Sequence, residues 1–591
     1  MILNVAVLIG VLAVAVVWAL RGNGRGLLSS FLAALATVLA GAVAFALWEP
    51  LVYGLDGSGL LLDMQPDLAF TLGLLIPFIL AAGVLRLAVE LAVPKNMDFG
   101  DVGNFVGGAA FGLVNGVVTL GIIVVALSFL RVGPTLGGFS PVDDKAGNLV
   151  VENNLWIPVD DLTVGLYEHL STAAFASPDP LAERLPAVHD QAAMARRSFE
   201  HRDQGESSFA RAVIGPDQFT IVGEYRVAGP TNELFAYPGQ DRTQNVLDVT
   251  GEPWTGRVEI AGYLVEFDAG AFEKSGQFII GPGQARLIYR DGPRVGVSHP
   301  FAIVGESEAG SVARFPLDTD DVFVPSVGGA SAVTLGLEFP VPAGAAPVDL
   351  IIKNVRRGVD EPDTPRVAYA DPAQRDAAVS TGSLFSDLGV AMGGLVLTDL
   401  DRSGAATITS GRRGFDEISV GDRLPERYVL NKTTGTGGLE TDGPVFINGR
   451  GQFSVEQFQA RGLDENLRGE RLASKRDTSV VQIQLATGGT FTALGRAAAR
   501  VDADVAPLLV DSENRAYRAI GWLYSDGSTV DLRYTPGDTI DSIEELPERL
   551  STTKRGQTAY LFFQVTSGAE VSGFVFGNQL VAEFSPPVRV R

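Results

Sequence analysis

The sequence predicts a multi-domain chain: an all-α bundle of four membrane-crossing helices, then two all-β units of sandwich type. Three observations carry this prediction. Four apolar runs, each long enough to cross a bilayer, lie within residues 1–133. From about residue 213 apolar residues recur at every second position, the period of a half-buried strand. A short pattern near residue 340 returns near residue 563, which suggests one β type present twice. A chain of 591 residues is in any case too long for one core.

Charge and apolarity are segregated. Residues 1–133 hold five of the 46 Lys and Arg and seven of the 69 Asp and Glu, a net charge of −2. The remainder carries 41 basic and 62 acidic residues, a net charge of −21. A surface that acidic repels nucleic acid and anionic lipid headgroups, and keeps a domain soluble. There is no cysteine, so disulfides, thiolate ligands and a cysteine nucleophile are excluded. The four histidines, His169, His189, His201 and His299, are too dispersed in sequence for a His-rich metal site.

The apolar runs cover about 2–20, 27–48, 68–93 and 104–130. A hydrocarbon core of about 30 Å needs about 20 helical residues, and all four qualify. The first run lacks a positive leader, and Arg21 and Arg25 follow it, so it reads as an uncleaved helix and not a signal peptide. Arg21 and Arg25 lie in the connection after helix one, and Lys95 in that after helix three. The intervening loop carries Glu49, Asp56, Asp63 and Asp67 and no basic residue. The positive-inside rule then places both termini, and everything beyond residue 133, outside the cytoplasm. Arg131 and Lys145, beyond helix four, reduce this asymmetry.

Gly108, Gly112 and Gly116 recur every four residues in helix four, after Gly103 and Gly107. Small residues on one face let helices approach closely in lipid. The ladder is a packing seam, either inside one bundle or between copies in a homo-oligomer. Asn115 can bond across that seam, and Pro77 kinks helix three. Arg86 and Glu90 lie near a helix end at i,i+4 spacing. That scarcity of intramembrane charge argues against an ion or proton path.

The charge-poor first helix, the Arg-Gly-Asn-Gly-Arg-Gly connection at Arg21–Gly26, the Asp98-Phe-Gly-Asp-Val-Gly103 turn and the glycine-laddered helix together resemble the CvpA family, the colicin V production proteins. The resemblance covers residues 1–133. It implies a four-helix protein of the bacterial inner membrane, linked to toxin production or export and to envelope homeostasis. The long tail departs from the short members of that family.

Within the tail, residues 134–212 read as a juxtamembrane loop, an amphipathic helix and a linker. Val159, Leu162, Leu166 and Leu170 recur at helical spacing, which predicts a helix over 159–176. That helix lies on the membrane surface with Trp156 at the interface, or packs on the bundle or a neighbouring domain. Phe219–Val222, Val258–Phe267 and Ala285–Tyr289 read as strands of a first sandwich over 213–356, with a hairpin at Asp291-Gly292. Residues 357–384, rich in proline and charge, read as a second linker. A second sandwich follows over 385–591, its clearest hairpin at Tyr517–Tyr534. Phe339-Pro-Val-Pro-Ala-Gly344-Ala345 matches Phe563-Gln-Val-Thr-Ser-Gly568-Ala569 at an offset of 224, and the offset persists from Leu350–Asn354 to Phe574–Asn578. Each copy reads as a closing hairpin. A second match pairs Pro300–Val304 with Pro507–Asp511 at an offset of 207.

No constellation carries a reaction. Anchors of the CvpA type also occur fused to trypsin-like proteases, which need a glycine-flanked serine loop and a histidine base. The nearest loops, Gly435–Gly438 and Gly488-Gly489, lack the serine, and His299 alone lies within a β unit. Asp399, Asp401 and Ser403 imitate the start of a calcium loop, but Ser410 stands where an EF-hand needs glutamate. Asp318–Asp321 is a second acidic turn. The expected function is a non-enzymatic, cofactor-free membrane scaffold whose partners are the bilayer and envelope proteins or a second copy. A transport or secretion accessory and an extracytoplasmic ligand sensor are the alternatives.

Overall fold

The computed structural model describes residues 2–25, 27–54, 61, 68–93, 99–130, 135–197, 200–203, 206–209, 213–237, 246–273, 278–308, 311–317, 332–359, 362–390, 397, 399–409, 417–458, 462–474, 478–488, 490–498, 505–536, 538–547 and 556–590. Four helices are long and apolar enough to cross a membrane. They are α1 (Ile2–Arg25), α2 (Leu27–Tyr53), α3 (Ala69–Ala92) and α4 (Gly100–Ser128). The shortest, at 24 residues, spans about 36 Å. Two ends differ from the sequence expectation. α1 runs on through Gly22 and Gly24 to Arg25, because a helical glycine costs only about 1 kcal/mol and no proline stops it. α2 continues through Pro50, which sits in its last turn where few backbone bonds are at stake.

The helices alternate in direction. Asn4, Tyr53, Phe70 and Ser128 lie at the end facing the β units, and the Arg25 end of α1 and the Ala92 end of α3 lie opposite. α1 packs along α4, α4 along α2, and α2 along α3. α1 and α3 are not packed along their length; they meet where the Arg86 guanidinium lies 5.1 Å from the centre of the Trp18 ring.

Beyond the bundle come the hairpin β1 (Val142–Lys145) and β2 (Asn148–Val151), then α5 (Val159–Thr172), α6 (Leu181–Arg184) and α7 (Val188–Arg197). α5 lies against the bundle. Tyr167 donates to the Val38 carbonyl at 3.0 Å, beside Gly41, where any side chain would collide with the phenol. Trp156, Leu162 and Phe175 stay exposed around it. The stretch after residue 176, expected to be a linker, instead holds α6, α7 and the hairpin β3 (Glu200–Asp203) and β4 (Glu206–Phe209). Val188, Ala192 and Ala195 of α7 belong to one apolar cluster that runs from Trp48 and Phe129 in the bundle to Phe339 and Ile351 in the first β unit.

That unit is a two-sheet sandwich. Its strands are β5 (Phe219–Ala228), β6 (Val258–Asp268), β7 (Ala285–Asp291), β8 (Arg294–Ser298), β9 (Ala302–Glu308), β10 (Ser311–Pro316), β11 (Ala332–Pro342), β12 (Ala346–Ile352), β13 (Val355–Gly358) and β14 (Arg366–Tyr369). One sheet has the order β10-β9-β11-β6-β5-β14, the other β13-β12-β7-β8. β7 and β8 form the hairpin expected at Asp291-Gly292.

The expected linker 357–384 is largely part of this sandwich. β14 pairs in parallel with β5, and a helix over Pro372–Thr381 starts on an Asp371 cap, with proline at its first position. Its Arg375 is fully buried against Glu338. Charge and proline read as linker signals because the neutralising carboxylate lies 37 residues away.

The second unit comprises β15 (Ala406–Thr409), β16 (Ile418–Val420), β17 (Leu430–Asn431), β18 (Glu440–Asp442), β19 (Val445–Ser454), β20 (Arg468–Gly469), β21 (Arg471–Leu472), β22 (Thr478–Thr487), β23 (Thr490–Phe491), β24 (Pro507–Asp511), β25 (Ala516–Ser525), β26 (Thr529–Tyr534), β27 (Thr558–Thr566), β28 (Glu570–Phe576) and β29 (Gln579–Arg589). Its two sheets are joined through β25, whose register shifts between Ala519 and Gly521 as it passes from one to the other.

The central strand orders of the two units agree. β9-β11-β6-β5 corresponds to β25-β27-β22-β16, and β13-β12-β7 to β29-β28-β24. Both copies of the repeated segment turn alike. Ala345 N donates to the Pro342 carbonyl at 3.0 Å, and Ala569 N to that of Thr566 at 3.2 Å, each around a glycine at positive φ. Neither copy is the expected hairpin. β11 and β12 enter different sheets, as do β27 and β28, so each turn is an arch between sheets. The match of Pro300–Val304 to Pro507–Asp511 fails, because it equates β9 with β24, the counterpart of β7.

Candidate functional site

Two features distinguish the bundle. The first is its junction with the β region. Glu49 is buried in the last turns of α2, where an unpaired carboxylate would be costly. It meets two arginines: Arg184 Nη1 lies 3.0 Å from Oε2, and Arg356 Nε 3.1 Å from Oε1. Arg184 also donates to the Phe45 carbonyl at 2.8 Å, and Arg356 reaches Asp349 and Asp179. Tyr53 donates to the Asn354 carbonyl at 3.0 Å. Arg196 of α7 donates to the Leu127 carbonyl at 2.7 Å and, through Nε, to that of Ser128 at 3.2 Å. Those carbonyls lie at the C-terminal end of α4, so a cation there also meets the negative end of the helix dipole. At α1, Asn4 accepts from Trp156 N at 2.8 Å and donates to the Asn154 carbonyl at 3.2 Å. α1, α2 and α4 are thereby tied to the β side.

A titratable cluster lies behind the junction, between α5, α7 and β7. His189 Nε2 is 2.7 Å from Asp161 and 3.4 Å from Asp190. Burial pulls the imidazole pKa down, but the bond to Asp161 and the charges of Asp190, Asp160 and Asp161 outweigh it and hold it above the usual value. Burial pushes Asp190 up to about 6, against the pull of His189. Glu168, also raised by burial, accepts from Ala187 N. Arg286 is lowered by burial to about 10, and its charge adds to the burial that takes His299 down to about 4.

The second feature is a cavity of about 570 Å³ within the bundle, between α1 and α3 with α2 and α4 behind. Thr37 and Asn115, both buried, meet there across 2.5 Å, and Asn115 also donates to the Phe111 carbonyl at 3.0 Å. Arg86 stands at the end remote from the β units, and Gly83 faces open space.

The sequence-selected residues fall as follows. A Cβ on Gly112 would lie 2.9 Å from the Ala15 Cα, and one on Gly116 3.2 Å from that of Val11, so both set the approach of α4 to α1. Gly108 is buried in α4. Asn115 bonds across to α2. Arg21 and Arg25 belong to the final turns of α1, and Lys95 lies outside the described residues. Asp401 is an exposed turn residue that accepts from Ser403 N at 2.8 Å, and Asp318–Asp321 lies outside the described residues. His299 bonds the Ala285 carbonyl at 3.0 Å. Among the described residues no group of three His, Asp or Glu is placed to hold a metal.

Sequence reading passed over Thr37 and the roles of Glu49, Arg184 and Arg356. Glu49 carried a usable signal, since a carboxylate in the last turn of an apolar helix calls for a partner. The chain matches no protein-family model, no curated protein and no solved structure.

Proposed function

We propose that this chain is a non-enzymatic scaffold of the bacterial envelope. α1–α4 cross the inner membrane with both termini outside the cytoplasm, and two acidic sandwiches stand on the outer face to engage envelope proteins or a second copy. The observation that carries this reading is the junction at Glu49, where Arg184 of α6 and Arg356 of β13 clamp one helix end. A mobile tether would leave no buried charge in common between anchor and tail, whereas a platform of fixed geometry needs such a clamp. The common central strand order supports a duplicated sandwich. The resemblance of residues 1–133 to the CvpA family supports a link to toxin production or export, and that link rests on those motifs alone.

Crosslinking in native membranes, followed by identification of what residues 213–590 capture, tests the scaffold. Recovery of defined envelope proteins or of the chain itself is expected; recovery of neither overturns it. Protease added to spheroplasts should digest the tail, and a protected tail reverses the orientation. The cavity beside Asn115 favours a second reading, a transport or secretion accessory. That reading predicts that filling the cavity abolishes export while capture of partners persists.

A further inference from the structure

We infer that the outward face of α5 is a membrane-docking surface. The helix lies along the bilayer plane at the acyl–headgroup boundary of the leaflet on the β side, and its partner there is zwitterionic phospholipid. The inference rests on the proposed crossing of a bilayer by α1–α4, not on the tail being a scaffold.

The depth of α5 follows from what it touches. Leu27 N donates to the Asn104 side chain at 3.1 Å, so these residues mark one level, close to the Gly100 end of α4 and remote from the β units. A hydrocarbon core of about 30 Å starts near that level. Thr163 donates to the Val117 carbonyl at 3.3 Å, and Val159 and Thr163 fill the space in front of Gly121. Those points of α4 lie about 20–26 Å above Asn104. On α2, Tyr167 reaches the Val38 carbonyl and packs on Phe45 with ring centres 5.0 Å apart, about 17–27 Å above Leu27. Both sets of contacts fall in the half of the core on the β side. Trp48, about 32 Å above Leu27, stands beyond the core, in the apolar cluster shared with the first β unit.

The exposed surface is continuous with the lipid-facing belt of the bundle. The last exposed large apolar residue of α4 is Val114, because α5 covers the turns that follow. On α1 such residues continue through Ile9 and Val5 to Ile2, so the belt reaches the level of α5 and beyond. α5 takes over that belt where α4 leaves it. Its outward face holds Leu162, Gly165 and Leu166, and a Cβ on Gly165 would meet nothing within 4 Å. Trp156, Leu162 and Phe175 are 61%, 52% and 41% exposed. The carboxylates of α5 have protein partners: Asp160 is buried, Asp161 bonds His189, and Glu168 accepts from Ala187 N. His169, on the outward face, offers an apolar body with a polar tip, which suits headgroup level. Trp156 N bonds Asn4, in the first turn of α1 and about 32 Å from Arg25, the level at which aromatic residues line a membrane interface. From Trp156 to Ala176 there is no Lys or Arg, so attachment draws on apolar burial and needs no anionic lipid.

The chain has no cysteine, so a single introduced cysteine takes a nitroxide label cleanly. The test places labels at Leu162→Cys and Phe175→Cys in the full chain, reconstituted into phosphatidylcholine vesicles. The references are Leu113→Cys on α4 and Leu467→Cys on the second β unit, and all four positions are exposed, so the variants should fold. Collisions with oxygen, which partitions into lipid, and with a nickel chelate, which stays in water, give the depth of each label. The Leu162 and Phe175 labels should lie about 5–10 Å into the acyl–headgroup boundary, with the nickel collisions seen at Leu467 largely lost. Labels in water at both sites, beside a Leu113 label in lipid, overturn the docking surface alone. A Leu113 label in water overturns the crossing helices and the docking surface together. Labels at Leu162 and Phe175 shielded from both reagents mean that a second copy or another protein covers the face, which also overturns the proposal.

Discussion

Glu49 and Arg356 are 307 residues apart in the chain and meet through two contacts, Nε to Oε1 at 3.1 Å and Nη2 to Oε2 at 3.3 Å. The pair joins the end of α2 to the β12–β13 edge of the first sandwich. Because Arg184 holds the same carboxylate, Glu49 is the member on which the others depend. Glu49→Ala should therefore destabilise the junction more than Arg356→Met, which leaves the Arg184 contact. The expected costs are about 3–5 kcal/mol and about 2 kcal/mol respectively. Thermal unfolding of the full chain in nanodiscs, with proteolysis across 173–187 as local readout, measures both.

Glycine positions in the bundle should separate sharply. Gly112→Val drives a side chain into the Ala15 backbone and must part α4 from α1. Gly83→Ala meets open space and gains helix propensity, by up to about 1 kcal/mol. Resistance to detergent-induced unfolding should fall for the first and hold or rise for the second. Equal behaviour would mean that the α1–α4 approach is not as described.

The two histidines should give opposite pH dependences. His189 has a raised pKa, so its contribution is full below 6.5 and is lost as pH rises through the folded value. His299, lowered to about 4, contributes above 6.5 and loses that contribution as pH falls toward 4. Asp190, raised to about 6, is relieved over the acid side of the same window. His189→Gln should therefore flatten the alkaline limb of a melting-temperature profile above pH 6.5. His299→Gln should flatten the acid limb between pH 4 and 6.5.

Glu338 neutralises two buried arginines, Arg314 at 2.6 Å and Arg375 at 3.1 Å. Glu338→Gln leaves both cations buried, an expected loss of about 3–5 kcal/mol. Replacing all three residues by apolar ones of similar volume should cost less. The local readout is release of the 366–387 segment, followed by hydrogen exchange in β14 and the helix after it.

The four long apolar helices were legible because few other segments hold so long an uninterrupted apolar run. The ends were less legible, since a glycine in α1 is a small penalty beside an added turn of helix. Strand positions could be read at Asp291-Gly292 and at Tyr517–Tyr534, where alternation flanks a turn residue. The partner sheet could not be read at Gly344 and Gly568. A strand buried on both faces, such as β11 with Leu335, Gly336, Leu337 and Phe339, gives no clue to which sheet its successor joins. Arg375 read as a linker charge because its carboxylate lies on another element. The cavity was hidden for a related reason: alanine and glycine pack helices and line voids equally well.

The apolar cluster that passes unbroken from Trp48 through α7 to Phe339 imposes an order on biogenesis. The first sandwich closes its inner face only when α7 is seated, and α7 seats on carbonyls that exist once α4 is helical. Formation of the helical bundle therefore precedes completion of the tail. A chain in which α4 has not formed carries an open sandwich with Val188, Ala192 and Ile351 uncovered, a state that proteases and chaperones recognise. The anchor thus serves as the tail's last structural layer, and a tail produced without it should be scarce in the cell even when its message is abundant.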